Sequence, residues 1–517
     1  MLARTTSDRK RVSAKNVVAG LTYSLWSALI SLAVVPFYLK FLGIEAYGLV
    51  GLLATTQALL LLLDMGLAAT VSREVARRSA NGGALTVAPL VHSLACIYWG
   101  VSAFIAIVLI ALAPWIAEHW VQSRGMSIGT VQSAVSAIGL VVAARWPIGL
   151  YQGVLIGSQR IVIASAVGIA SVTLTSLISI LILGWIAPTV MALFAWQALA
   201  GLLQTLVLRR EAWRAIGLVG KVDFQVSEIK AVWRFSSGMG FISILGVILS
   251  QTDKLLLSKM MPLSEYGKFT LASVVAGSLY IIVAPLFNVL YPRFVEMLER
   301  NEIKKLEVTY HLATIFVASF LFPLAGFFAI FSRDVIELWT GNYTLAVDVA
   351  PLVTLLAAGS AFHGLMFVPH ALLLAHGAVR IPIKINLLMV FVQIPILIML
   401  TLKYGLAGAA FSWLILHLMY CAFGTLLTHR RFLRGHGVRW LLKDAGIPVL
   451  LTTASATFAH VLLTDASTRP LISVASGVLL LIATVTTSLL IRTLSRQQLA
   501  NYWHAIVSAR LTVLLNR

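Results

Sequence analysis

The sequence predicts an all-α polytopic membrane protein of about 14 transmembrane helices: two pseudo-symmetric six-helix lobes around a central cavity, plus two C-terminal helices. Three observations carry that prediction. Hydrophobic residues make up 59% of the chain and charged residues only 11%, a balance outside the range of soluble globular domains. Apolar runs long enough to cross about 30 Å of hydrocarbon as helices recur throughout the 517 residues. A short junction sequence also recurs once, in the second half of the chain, between two further long runs.

In chain order the apolar windows fall near residues 16–39, 47–70, 87–113, 128–150, 161–184, 188–208, 235–257, 266–290, 308–331, 348–375, 382–402, 405–428, 445–463 and 471–491. The first follows a basic arm (Arg4, Arg9, Lys10, Arg11, Lys15). It is too long for a signal-peptide core and lacks a small-residue cleavage site, so it reads as a retained span. With the N-terminus inside, the outer segments hold only Lys40, Arg124, Lys254, Lys259, Lys268, Arg333, Lys403 and Arg469; the rest of the 39 Lys and Arg fall on the inner side. This is the positive-inside pattern, and it sets both termini in the cytoplasm. The formal charge of +20 is therefore a topology signal, and no nucleic-acid partner is expected. Cys96 and Cys421 both fall within spans, so a structural disulfide is not expected.

The expected organisation is an N-lobe over 1–208, a cytoplasmic interfacial linker over 209–234 with Trp213 and Trp233 at headgroup level, and a C-lobe over 235–428. Residues 429–517 hold the last two spans and a basic tail without acidic residues from Arg492 onward. No extramembrane segment is long enough to fold as a domain.

The segments FLGIEAYG (41–48) and MMPLSEYG (260–267) align at an offset of 219 residues. Carried back into the preceding spans, the offset sets Ser24 against Ser243, Ser27 against Gly246 and Ser31 against Ser250. These residues recur at three and four, one stripe on each helix. Such a stripe serves either close helix packing or a wet lining; two matching stripes favour a shared cavity. Both helices run the same way, so the repeat is parallel, with its axis along the membrane normal.

Charges inside spans are expensive, and each carries a functional reading beside a structural one. Asp253, one turn past Ser250, is either a coupling carboxylate or a local partner of Lys254. Asp64, roughly 13 Å deeper than Arg73 at 1.5 Å per residue, either couples an ion or satisfies freed backbone groups at a break eased by Gly66. Arg145 lies inside an apolar run just before Pro147, which favours a lumenal role. Arg160, Arg293, Arg380 and Lys384 cluster at inner helix ends, where ordinary anchoring competes with binding an anionic headgroup. His363 and His370 share a helix face and can titrate near neutral pH, or serve as hydrogen-bonded core residues.

No GxxxxGK[ST] loop is present, since GLVGK (217–221) lacks the spacing and the hydroxyl. Nor is there an HExxH, a paired-Cys zinc pattern or a nucleophile constellation. ATP hydrolysis within the chain is not expected, nor is any catalytic residue, metal or cofactor, and work must draw on H+, Na+ or substrate gradients.

The pieces FLGIEAYGLVG, LLDMGLAATVSREVAR, RWPIGLYQGVLIGSQR (145–160), DKLLLSKMMPLSEYGKFTLAS (253–273) and VLYPRF (289–294) closely resemble the Wzx-type O-antigen flippases of the multidrug/oligosaccharidyl-lipid/polysaccharide exporter superfamily. The similarity covers the first eight spans well and the later ones by hydropathy. It implies a flippase of the bacterial inner membrane moving undecaprenyl-pyrophosphate-linked oligosaccharide to the periplasmic leaflet by alternating access. It further implies a cationic lumen with Arg145 and Arg293 as contributors, contact with membrane lipid, and a polymerase and chain-length regulator of the same pathway as partners. The chain departs from many relatives in its last two spans; related lipid II flippases have such a pair, which helps form a lipid-tail groove. Two other classes stay open: a polysaccharide polymerase, which calls for a large periplasmic loop, and a multidrug/cation exporter, which calls for an acidic lumen. A membrane scaffold would leave the two polar stripes without purpose.

Overall fold

A chain crossing hydrocarbon must satisfy each backbone polar group within itself, and helices do so. The computed structural model describes residues 6–64, 66–81, 84–217, 222–378, 380–463 and 470–493, and among them no strand forms beyond one isolated bridge between Gln122 and Pro262. The basic C-terminal tail lies outside the described residues.

Helix α1 (Thr6–Leu60) is two passes joined at Gly43, whose φ of 79° only glycine adopts freely. A 3-10 turn (Leu61–Asp64) and Gly66 lead to α2 (Leu67–Asn81), α3 (Ala84–His119) and α4 (Ile128–Arg145). Then follow α5 (Ile148–Gly157), α6 (Ile161–Leu181), α7 (Val190–Ile216), α8 (Val226–Met260), α9 (Leu263–Gly277) and α10 (Tyr280–Glu299). The second half continues with α11 (Ile303–Thr340), α12 (Tyr343–Leu365), α13 (Phe367–Ala375) and α14 (Arg380–Phe432), the last hinged at Gly405. A short α15 (Gly437–Arg439) and a π-helical turn (Trp440–Ala445) precede α16 (Gly446–Leu463) and α17 (Pro470–Thr493). Among the described residues ten helical segments are long and apolar enough to cross a bilayer. Two of these, containing α1 and α14, supply two passes each, and α8 and α16 occupy the other two windows.

Several windows are corrected. The window 47–70 is not one helix: it ends before Gly66, and 67–81 form a separate amphipathic helix whose Val71 and Val75 are fully buried. The window 348–375 breaks at Met366, between α12 and α13. Residues 209–216 and 226–234 continue α7 and α8 as their ends. Leu208, Ala212 and Ile216 extend the buried stripe of α7, and Gly217 in the left-handed region caps it. The side chain of Trp233 lies outside the described residues.

The chain forms two compact units, Met1–Ser278 with Asn386–Ser412, and Leu279–Ile385 with Trp413–Arg517. In the first, α2, α3, α5 and α7 enclose a core including Val71, Leu94, Tyr98, Tyr151, Val154 and Leu208. In the second, α11 is the central element, packed by α12, α16 and α17. The Ser319 and Ser488 hydroxyls bond at 2.7 Å to join α17 to α11, and Thr484 donates to Ser455 at 2.9 Å to join α17 to α16.

Candidate functional site

The repeated junction folds onto its own copy within the first unit. Each copy reverses the chain over very few residues, at Gly43 and at Met261–Pro262, and starts a helix whose fourth and fifth residues are Tyr-Gly. The second half of α1 then crosses α9 with repeat partners in reciprocal contact. A Cβ on Gly48 would stand 2.5 Å from the Leu263 carbonyl oxygen, and one on Gly267 would stand 2.2 Å from the Ile44 carbonyl oxygen. Ile44 and Leu263 are themselves partners at the same offset. Tyr266, fully buried, shares a 2.9 Å hydrogen bond with Thr55 across the crossing.

The segment 120–127 ties both junctions together. Glu45, in the connection between the first two passes, accepts from the Ser123 hydroxyl at 2.8 Å and from the Arg124 and Gly125 amides at 2.8 and 3.0 Å. Burial works against its charge, but these donors prevail and hold the carboxyl below the usual carboxylate range. On the other side, the Leu263 amide donates to the Gln122 carbonyl at 2.7 Å, Gln122 to the Lys259 carbonyl at 2.8 Å, and Trp120 to Ser258 at 2.9 Å.

Deeper in this unit, Arg145 ends α4, where Pro147 cannot continue the helix's hydrogen bonding. Its side chain runs against Gly201 of α7, and the phenol of buried Tyr38 on α1 lies within electrostatic reach. Thr205, one turn along α7, donates to the Ala144 carbonyl at 2.6 Å and fixes that crossing. Among the described residues no carboxylate pairs with Arg145, and its guanidinium is buried although the residue as a whole is only half-buried.

The polar stripe is accessible on α1. Ser24 and Ser31 are exposed, which close packing does not account for, and Ser24 donates to the Gly20 carbonyl at 3.0 Å. Ser250 on α8 donates to the Val247 carbonyl at 3.2 Å and is half-buried; the Ser243 side chain lies outside the described residues. Asp253 is 2% exposed, with Lys254 Nζ 3.9 Å from its Oδ1, and that oxygen has no hydrogen-bond donor. Asp64 has a structural task. It accepts from the Tyr98 hydroxyl and from the Ala68 amide, the latter at 3.3 Å, and so caps α2 beyond the break at Gly66.

In the second unit the predicted residues do not converge. His363 Nδ1 shares a 2.7 Å hydrogen bond with Tyr280, and its ring lies 4.6 Å from that of His417. His370, past the break at Met366, stacks on Phe287. Arg293 is held by Glu296 at 2.6 Å near the end of α10. Arg380 and Lys384 are exposed on the first turns of α14.

Sequence reasoning missed one polar network. Buried Asp444 binds His311 Nδ1, and His311 Nε2 meets His436 Nδ1 at 2.9 Å. Trp440 donates to Thr314 at 3.0 Å beside it, and Tyr310 meets His429 at 3.3 Å. These partners lie more than a hundred residues apart, and no local spacing announces them.

The fold defines an all-helical, polytopic membrane protein. The solved lipid II flippase MurJ, in an inward closed conformation, superposes with a TM-score of 0.66 at 14% identity, over 94% of this chain and 99% of that one. An inward-facing multidrug resistance MATE family transporter gives 0.64 at 14% identity, over 80% and 98%. At such identities the likeness shows the fold. A family model described as "Polysaccharide biosynthesis protein" matches residues 13–298, and the chain belongs to that family. A Shigella flexneri protein named as an O-antigen transporter is 23% identical over 403 residues, 78% of this chain and 94% of that protein. The resemblance to Wzx-type flippases read from the residues agrees with all of these.

Proposed function

We propose that the chain is a flippase carrying undecaprenyl-pyrophosphate-linked oligosaccharide, an O-antigen or related repeat unit, from the cytoplasmic to the periplasmic leaflet of a bacterial inner membrane. Both termini are cytoplasmic in this reading, and transport proceeds by alternating access. The carrying observation is Arg145, a buried guanidinium set among apolar helices with no carboxylate partner among the described residues. Stranding a pyrophosphate in hydrocarbon costs an idealised 20 kcal/mol or so per charge. A fixed cation and hydroxyl-bearing walls such as Ser24, Ser31 and Ser250 offset that cost, while the polyprenyl tail stays in lipid. With the inside negative, outward movement of the anion is favoured by roughly 2.3 kcal/mol per charge per 100 mV. Exchange against H+ or Na+ adds to this drive, and Asp253 is the residue we assign to it.

The polymerase reading fares worse, because on the outer side in this reading the longest described connection between spans, residues 120–127, is too short to carry a catalytic domain. A cation exporter would need acidic groups at the site, whereas Asp64 is engaged in capping α2. The test is a deletion strain. Lipid-linked repeat units confined to the cytoplasmic leaflet are expected. Normal delivery of units to the outer leaflet with absent polymer would overturn the proposal.

A further inference from the structure

The inner ends of the two halves of α14 enclose a cavity of roughly 380 Å3 lined by Ile381, Lys384, Leu427, Arg430, Arg431 and Arg434. Four of these six side chains are cationic and exposed, and the lining contains no carboxylate. Several other cations near helix ends are neutralised locally: Arg77 and Arg78 by Glu74, Arg214 by Glu211, Arg293 and Arg300 by Glu296, Lys305 by Glu302. Ordinary charge asymmetry does not require that one site go without. The last turns of α14 are also two-sided. Thr428 and His429 are buried, while Phe423, Leu426 and Leu427 form an exposed apolar band one turn from the guanidinium groups.

We propose that this cavity binds the headgroup of an acidic glycerophospholipid, with phosphate on Arg430, Arg431, Arg434 and Lys384 and acyl chains against Phe423, Leu426 and Leu427. Cations grouped beside an apolar band match an amphiphilic anion rather than a soluble one. This inference does not rest on the flippase reading.

The full chain in nanodiscs of phosphatidylcholine with titrated phosphatidylglycerol, read by native mass spectrometry, tests it. Wild type is expected to retain phosphatidylglycerol selectively. Each guanidinium removed should weaken retention about fivefold, so Arg430→Gln/Arg431→Gln/Arg434→Gln together should weaken it roughly a hundredfold. Arg434→Gln alone, at an exposed position, should show the single step should the triple variant fail to fold. Arg77→Gln/Arg300→Gln should bind as wild type does. Unchanged retention in Arg434→Gln or the triple variant overturns the proposal. So does displacement of the lipid by inorganic pyrophosphate at equal concentration, which would give the cavity to a soluble diphosphate.

Discussion

The Arg145 side chain lies flat against Gly201, where an added Cβ would stand 2.7 Å from Cγ and 3.3 Å from Nε of the arginine. The glycine is a recess for the cation, so charge and position can be separated experimentally. Arg145→Gln removes the charge and is expected to lower outward translocation tenfold to about a hundredfold, the range for one charge-assisted hydrogen bond of about 1.5–3 kcal/mol. Gly201→Val keeps the charge but displaces it, and a several-fold loss should follow. Appearance of lipid-linked oligosaccharide in the outer leaflet is the readout. Wild-type transport by Arg145→Gln would remove this residue from the passage.

The crossing of α1 with α9 makes a symmetric prediction. Because Gly48 and Gly267 meet each other's junctions in the same way, Gly48→Ala and Gly267→Ala should cost similar amounts, about 1–3 kcal/mol of overpacking each. Gly51→Ala meets the buried Thr270 side chain, its Oγ1 at 2.3 Å and its Cβ at 3.0 Å, so rotation of that side chain does not clear the contact and a comparable cost should follow. Thermal unfolding in detergent gives the comparison. A large effect at one glycine and none at its partner would contradict the reciprocal contact.

Much of this was legible in the sequence because it is local or periodic. The fourteen windows, the Tyr-Gly junctions at one offset, and the break at Gly66 capped by Asp64 each rest on residues within a few positions of one another. The extent of the helices was less legible: α3 runs to His119 and α7 to Ile216, since a hydropathy window ends where polarity begins, whereas a helix ends where its capping and packing end. Least legible were contacts set by tertiary approach. Nothing in RWPIGL points to Gly201, and nothing near His311 points to Asp444. Arg293, which reads as a free cation, sits in an ion pair with Glu296 three residues on, a contact that helical spacing itself offers.

Glu45 predicts how the junction responds to acid. Its carboxyl is held below the ordinary range, so the unfolded chain binds this proton at a higher pH than the folded chain does. The stability it contributes is therefore complete above the unfolded value of about 4.3 and is lost as pH falls through the lower folded value. Melting temperature should drop in that acidic window for wild type. Glu45→Gln should start lower at neutral pH and show a shallower decline below about pH 4.3. Parallel pH profiles for the two proteins would show that the segment 120–127 does not depend on this charge.

Asp253 bears on coupling. A buried carboxylate whose Oδ1 has no donor is relieved either by a proton or by a cation entering beside it. Asp253→Asn should abolish the dependence of translocation on an imposed proton gradient, or on Na+, while leaving transport driven by membrane potential measurable. Reconstituted vesicles allow the gradients to be set separately. Unchanged gradient dependence in the variant would assign coupling elsewhere.

The Asp444–His311 pair should hold the C-terminal helices rather than the passage. Asp444 sits in the π-helical turn that opens α16, and His311 lies on α11, the element against which α16 and α17 pack. The partly accessible His436 closes the chain of contacts on the far side of His311. Removing one member of a buried hydrogen-bonded pair leaves the other unsatisfied, at about 1–3 kcal/mol. Asp444→Asn is thus expected to lower the unfolding temperature markedly, with protease cleavage between α14 and α16 becoming faster. His311→Asn should do the same, and the double variant should lose less than the two single losses together, because the stranded partner is gone. Strictly additive losses would mean that the two residues act separately, and α16 would then owe its position to the apolar contacts of α11 alone.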